Sequence, residues 1–194
     1  RAIAQGIQQT VQPYLSPVRP KDPAEVAERW IAAPQEMKTG PSKMKLKLST
    51  EWLYTVNNRK RTVEFVPIRG VKTGNDFVRE VERVKRETGA RVQLVFTEKD
   101  ADPSPENRIV LTERLYLKNP SSALEGQMVK ELGLKLVEQP DYAPGIKIYG
   151  AGDALQALAS LESLREVAAG TEPTPVLAFA TRLAAAHNDP LYPH

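Results

Sequence analysis

Only two histidines occur in the 194 residues, His187 and His194, and both fall at the very end. A hydrolase of the Ser-His-Asp type holds its histidine rigidly between a nucleophile and a carboxylate. The string around these two is rich in alanine, proline and asparagine and has no apolar periodicity to fix either. No G-x-S-x-G elbow, P-loop, dinucleotide fingerprint or HExxH helix is present. Gly150-Ala-Gly-Asp153 comes nearest to a phosphate-cradling loop, yet it is a glycine short, and a turn followed by a helix N-cap accounts for it. Asp100 and Asp102 have the spacing of a calcium loop without its glycine or its distal glutamate. Absence of cysteine removes disulfides and thiolate metal sites. The chain is therefore expected to have no catalytic set, no metal and no cofactor, and to act by binding.

Composition supports a folded chain with room for one large or two small domains: 41% of residues are apolar and 26% charged. The net charge of +3 is a mild excess, and the lysines and arginines are largely interleaved with glutamates, so no nucleic-acid partner is expected. No apolar run approaches the ~20 residues of a membrane span, and no signal-peptide core is seen, so no membrane partner is expected.

Residues 1–46 read as a proline-rich arm with one short helix at Pro23–Ala32, where Asp22-Pro23 supplies N-cap and N1 and Val26, Ala27, Trp30 and Ile31 share a side. Trp30 is expected either to pack this helix onto the next element or to anchor a partner. Residues 47–98 read as a small α+β unit. Within and just before it come a strand at 43–48, a hairpin pairing 51–56 with 62–68, a helix capped by Asn75 or Asp76 and ended by Thr88-Gly89, and a strand at 91–97. The acid- and proline-rich string at 99–106 reads as a linker.

From residue 107 to 174 the order strand, helix, strand, strand, helix, strand is expected. A run at 107–118 precedes a helix at 121–132 that Gly133 ends; Leu134, Leu136, Ile146 and Ile148 mark a strand pair. Asp153 caps a helix whose Leu155, Leu158, Leu161 and Leu164 form one stripe, and a last apolar segment starts at Val167. The fold class is α+β, a ferredoxin-like βαββαβ antiparallel sheet with helices on one face over 107–172. Residues 175–194 are read as an extended tail.

Several strings in this half appear in a telling order: Leu134-Lys-Leu-Val-Glu, Pro144-Gly-Ile-Lys-Ile-Tyr, Asp153-Ala-Leu-Gln-Ala-Leu-Ala, Glu172-Pro173 and Asn188-Asp-Pro-Leu-Tyr-Pro-His. This order resembles the propeptide of secreted subtilisin-like serine proteases, over roughly the last 90 residues and not the first 100. The resemblance implies a secreted or cell-surface protein whose signal peptide lies outside this numbering. It implies a partner, the cognate subtilisin-like catalytic domain, that the chain chaperones during folding and then blocks. Glu172 would meet helix N-termini of the enzyme. Leu183, Ala184, Ala185, Ala186 and His187 would lie in the substrate cleft as an added strand, with processing between His187 and Asn188. Arg182 is a competing cut site. The alternative reading is a ferredoxin-like nucleic-acid-binding domain, with Tyr116 and Tyr149 as the available stacking rings, or a structural interaction domain anchored by Trp30 and Trp52.

Overall fold

Asp22 opens the first helix as its sequence promises: the carboxylate accepts the N–H of Ala24 at 3.0 Å, and Pro23 takes the first helical position, where no donor is needed. The computed structural model of the chain describes residues 17–102, 104–167 and 173–179. In chain order it comprises α1 (Pro23–Ala32), β1 (Gln35–Lys38), β2 (Lys43–Asn57), β3 (Thr62–Pro67), α2 (Gly74–Thr88) and β4 (Arg91–Glu98). A short turn of 3₁₀ helix then leads to β5 (Arg108–Lys118), α3 (Ser122–Leu132), β6 (Lys135–Glu138), β7 (Ile146–Gly150), α4 (Ala154–Val167) and β8 (Thr174–Phe179). Among the described residues this is an α+β chain with eight antiparallel strands in one sheet and four α-helices.

Two long strands organise the sheet. β2 carries β1 and then β3 along one edge and β4 along the other. β5 carries β4 beside Arg108–Leu111, β7 beside Arg114–Lys118, and β8 along its opposite edge. β6 closes the far side by pairing β7. The stretches on either side of residues 99–106 thus share one sheet, because β4 and β5 are direct neighbours.

All four helices bury their apolar stripes in one cluster against one face of the sheet. Val26 and Trp30 of α1, Phe77 and Val81 of α2, Leu124 and Met128 of α3, and Leu158 and Leu161 of α4 meet there with Leu48, Leu94, Leu111 and Leu115 from the strands. Each such side chain contributes about 1.5–3 kcal/mol through removal from water. Trp30 is 1% exposed and meets Phe96 edge to face at 5.5 Å, so it is a packing residue rather than an anchor for a partner.

Three expectations are corrected. Residues 43–57 form a single strand rather than two. Its register slips between Leu48 and Leu53, where the Ser49 hydroxyl accepts the N–H groups of Glu51 and Trp52. The slip changes the parity of the strand, so Leu46, Leu48 and Leu53 all reach the helix-side core. Thr73, not Asn75 or Asp76, is the N-cap of α2, and Asp76 returns the bond to the Thr73 N–H as a capping box. Finally, the last strand does not start at Val167, and the segment after 174 is not all tail: Thr174–Phe179 is β8, with Thr174 and Pro175 buried. The edge of β5 at Ile109–Leu111 draws it in, because an unpaired strand edge leaves N–H and C=O groups without partners.

Candidate docking surface

Side chains alternate across a strand, so the residues that do not face the helices define the sheet's other face. There Trp52, Val56, Val63, Phe65 and Ala178 pack around buried Tyr54, Val95 and Val110. Every member comes from a strand; no described helix contributes. Tyr54 and Phe65, cross-strand partners on β2 and β3, stack edge to face with centroids 5.0 Å apart. Tyr54, Val95 and Val110 are buried there although no described helix lies over them.

Arg108 lies over two rings of this surface. Its guanidinium carbon sits 4.2 Å from the Trp52 ring centroid and 4.7 Å from that of Phe65. Arg108 starts on β5 and Phe65 on β3, with β4 and β2 between them. Three strand spacings amount to about 14 Å, a span that the two long side chains bridge between them. Burial pushes the Arg108 pKa down, while the Glu106 and Glu51 carboxylates act the other way through space. Farther along β5, Glu113 accepts from Arg91 and, at 2.9 Å, from Gln93 Nε2, and Thr112 Oγ1 donates to the Val176 carbonyl at 2.8 Å.

A second apolar surface lies at the far edge. Leu136 and Val137 of β6 are each 48% exposed and Val129 of α3 is 55% exposed. Lys135 and Glu138 flank the apolar pair, as charges often do on edge strands.

The tyrosines named for base stacking are differently placed. Tyr149 is buried, and its hydroxyl donates to Glu125 Oε1 at 2.6 Å, an oxygen that also accepts from Lys147 Nζ at 2.6 Å. Burial, then the neighbouring carboxylate, pushes the Tyr149 pKa up, and Lys147 and Tyr149 hold that of Glu125 down. No Tyr149 face is left for a base. Tyr116 is half-buried on β5.

Glu172, Arg182, Leu183, Ala184, Ala185, Ala186, His187, Asn188 and His194 lie outside the described residues. Asp153 does cap α4, accepting the Gln156 N–H at 2.7 Å, so Gly150–Asp153 is a turn and cap. Asp100 and Asp102 gather no third ligand: among the described residues no group of three or more His, Cys, Asp or Glu side chains converges on a common point. No described helix is long and apolar enough to cross a membrane. Sequence reasoning named Trp52 as an anchor but missed Arg108 and Phe65 beside it. The alternation of Trp52, Tyr54 and Val56 opposite Val63 and Phe65 was the available sign. Compared with known proteins, the chain matches no family model, no curated protein and no solved structure.

Proposed function

We propose that the chain is the propeptide of a subtilisin-like serine protease, acting as intramolecular chaperone and autoinhibitor. The observation that carries this reading is the strand order β8-β5-β7-β6, connected as βαββαβ with helices on one face. That order supports the split βαβ, or ferredoxin-like, reading, and it falls on the stretch whose strings resemble such propeptides. The plan alone hosts many functions; the helix-free face and the Asn188-Asp-Pro-Leu-Tyr string supply the remaining support.

In this reading the sheet face packs on surface helices of the catalytic domain. It thereby stabilises a parallel-sheet enzyme whose non-local contacts form slowly by themselves. The cleft-binding ribbon starts beyond Phe179, because Thr174–Phe179 is committed to the chain's own sheet. Residues 183–187 then add a strand in the substrate cleft, Glu172 meets a helix N-terminus, and cleavage follows His187.

The test is inhibition of a subtilisin-like protease whose mature sequence begins Asn-Asp-Pro-Leu-Tyr-Pro. The full chain should inhibit slowly and tightly and speed refolding of the denatured enzyme, and a chain ending at Phe179 should lose the inhibition. Absence of inhibition at every ratio overturns the proposal. Tight, strongly salt-dependent binding to RNA would favour the nucleic-acid alternative instead.

A further inference from the structure

We propose that the outer edge of β6 is a homodimer interface, at which a second copy of this chain adds its own β6 antiparallel to the first. β6 ends the strand order, and β7 is its one partner among the described residues. An edge strand of this kind presents backbone N–H and C=O groups to any strand that can pair with them. The large apolar side chains that the described chain leaves exposed are Val129 on α3, Leu136 and Val137 on β6, and Tyr142 in the turn that follows. All four fall on β6 or on the segments immediately before and after it. Single exposed apolar residues are ordinary, whereas their concentration in one stretch marks an interaction surface.

The charges on β6 select the occupant. Lys135 and Glu138 are exposed, and among the described residues neither side chain has an ion-pair or hydrogen-bond partner. A two-fold axis normal to the sheet runs two copies of β6 antiparallel and makes the contact self-complementary. With the axis through Leu136-Val137, Lys135 of each copy stands opposite Glu138 of the other. Opposite residues on antiparallel strands share a face, and residues three apart in a regular strand do not. The bulge in β6 removes that obstacle. Lys135 pairs Gly150 and Glu138 pairs Ile148, two positions apart on β7, so Val137 is the extra residue and both charges stand on one face. Leu136 and Val137 then meet their own copies between two ion pairs. Parallel pairing in register sets Lys135 against Lys135 and Glu138 against Glu138, which like-charge repulsion disfavours. Flanking charges and a bulge keep most foreign strands off an edge; this set admits the chain's own. The contact lies in the plane of the sheet and leaves the helix-free face open, so the inference does not rest on the protease reading.

The test is sedimentation velocity of the full chain, loaded from about 1 μM to about 1 mM to span weak and moderate affinities. The mass should rise with concentration from that of one chain, 21.5 kDa, toward twice that value. Lys135→Glu and Glu138→Lys should each weaken the dimer at least about fourfold, because each turns two cross-strand attractions into repulsions. Both variants should melt with the parent, since the two side chains are exposed. Combining the two substitutions in one chain should restore the dimer, and so should mixing the two single variants, whose edges then complement each other. A monomer at every concentration, or a dimer that ignores both reversals, overturns the proposal. So do single variants that weaken the dimer while neither the double variant nor the mixture recovers it.

Discussion

The indole Nε1–H of Trp30 donates to Glu162 Oε1 across 2.9 Å, and so ties α1 to α4 above the edge-to-face contact with Phe96. Arg29 holds the other carboxylate oxygen of Glu162 at 2.6 Å. Trp30→Phe keeps an aromatic ring in the core but leaves Glu162 short of a donor, and should cost about 1–3 kcal/mol. Trp30→Ala adds a cavity and should cost about 3–5 kcal/mol. Urea unfolding followed by circular dichroism checks both; no loss in Trp30→Phe would mean that the hydrogen bond contributes nothing beyond packing.

Two glycines in helices should respond oppositely to alanine. A methyl group on Gly74 would come within 1.9 Å of the Ala24 carbonyl oxygen and 2.9 Å of the Glu28 nitrogen, where α2 begins against α1. Backbone cannot yield as a side-chain tip does, so Gly74→Ala should part the two helices and destabilise by at least about 1–3 kcal/mol. Gly126, inside α3, has nothing within 4 Å of the same position. Gly126→Ala should raise stability by roughly 0.5–1 kcal/mol, by removing the entropy cost of glycine in a helix. Thermal melts of the two variants side by side give the signs.

These helix ends were also the most legible part of the sequence. Asp22-Pro23 and Gly133 act locally, through a side-chain acceptor, a fixed φ and a left-handed C-cap, so a few residues carry the information. At α2 the T-x-x-D pattern of Thr73 and Asp76 is equally local, but Asn75 and Asp76 are cap-forming residue types nearer the apolar run and obscure it. The continuity of β2 was not legible, because Ser49 to Trp52 break the period-two pattern while keeping the strand. β8 was hidden by Pro173 and Pro175, which read as loop; an edge strand tolerates proline where its N–H would face away from the ladder. The contact of Arg108 with Trp52 and Phe65 depends on how four strands are ordered in the sheet, which no local pattern encodes.

Asp76 gives the chain an acid-sensitive helix start. The backbone N–H of Lys72, the Arg79 guanidinium and the Thr73 N–H hold its pKa down to about 2, against the usual 3.8. A folded-state pKa below the unfolded one stabilises the fold above pH 3.8, and the gain is lost as pH falls toward 2. Asp76→Asn should therefore melt below the parent at pH 6, and the gap should close as pH approaches 2. A gap constant across that range would remove the carboxylate charge from the explanation.

The corrected position of β8 predicts where the chain can be shortened. Ending it at Pro173 removes the partners of Ile109, Val110, Leu111, Leu115 and Tyr116, leaves Thr112 Oγ1 without the Val176 carbonyl, and takes Leu177 from the margin of the core. That loss should amount to at least about 2 kcal/mol, or roughly 4–8 °C for a chain of this length. Ending the chain at Phe179 keeps all of these contacts. The comparison that matters is between the two truncations: the longer should melt higher, and amide exchange along β5 should speed up in the shorter. Were the two to melt together, the pairing of β8 with β5 would contribute nothing to the fold, and residues 174–179 would again be available to reach a partner's cleft.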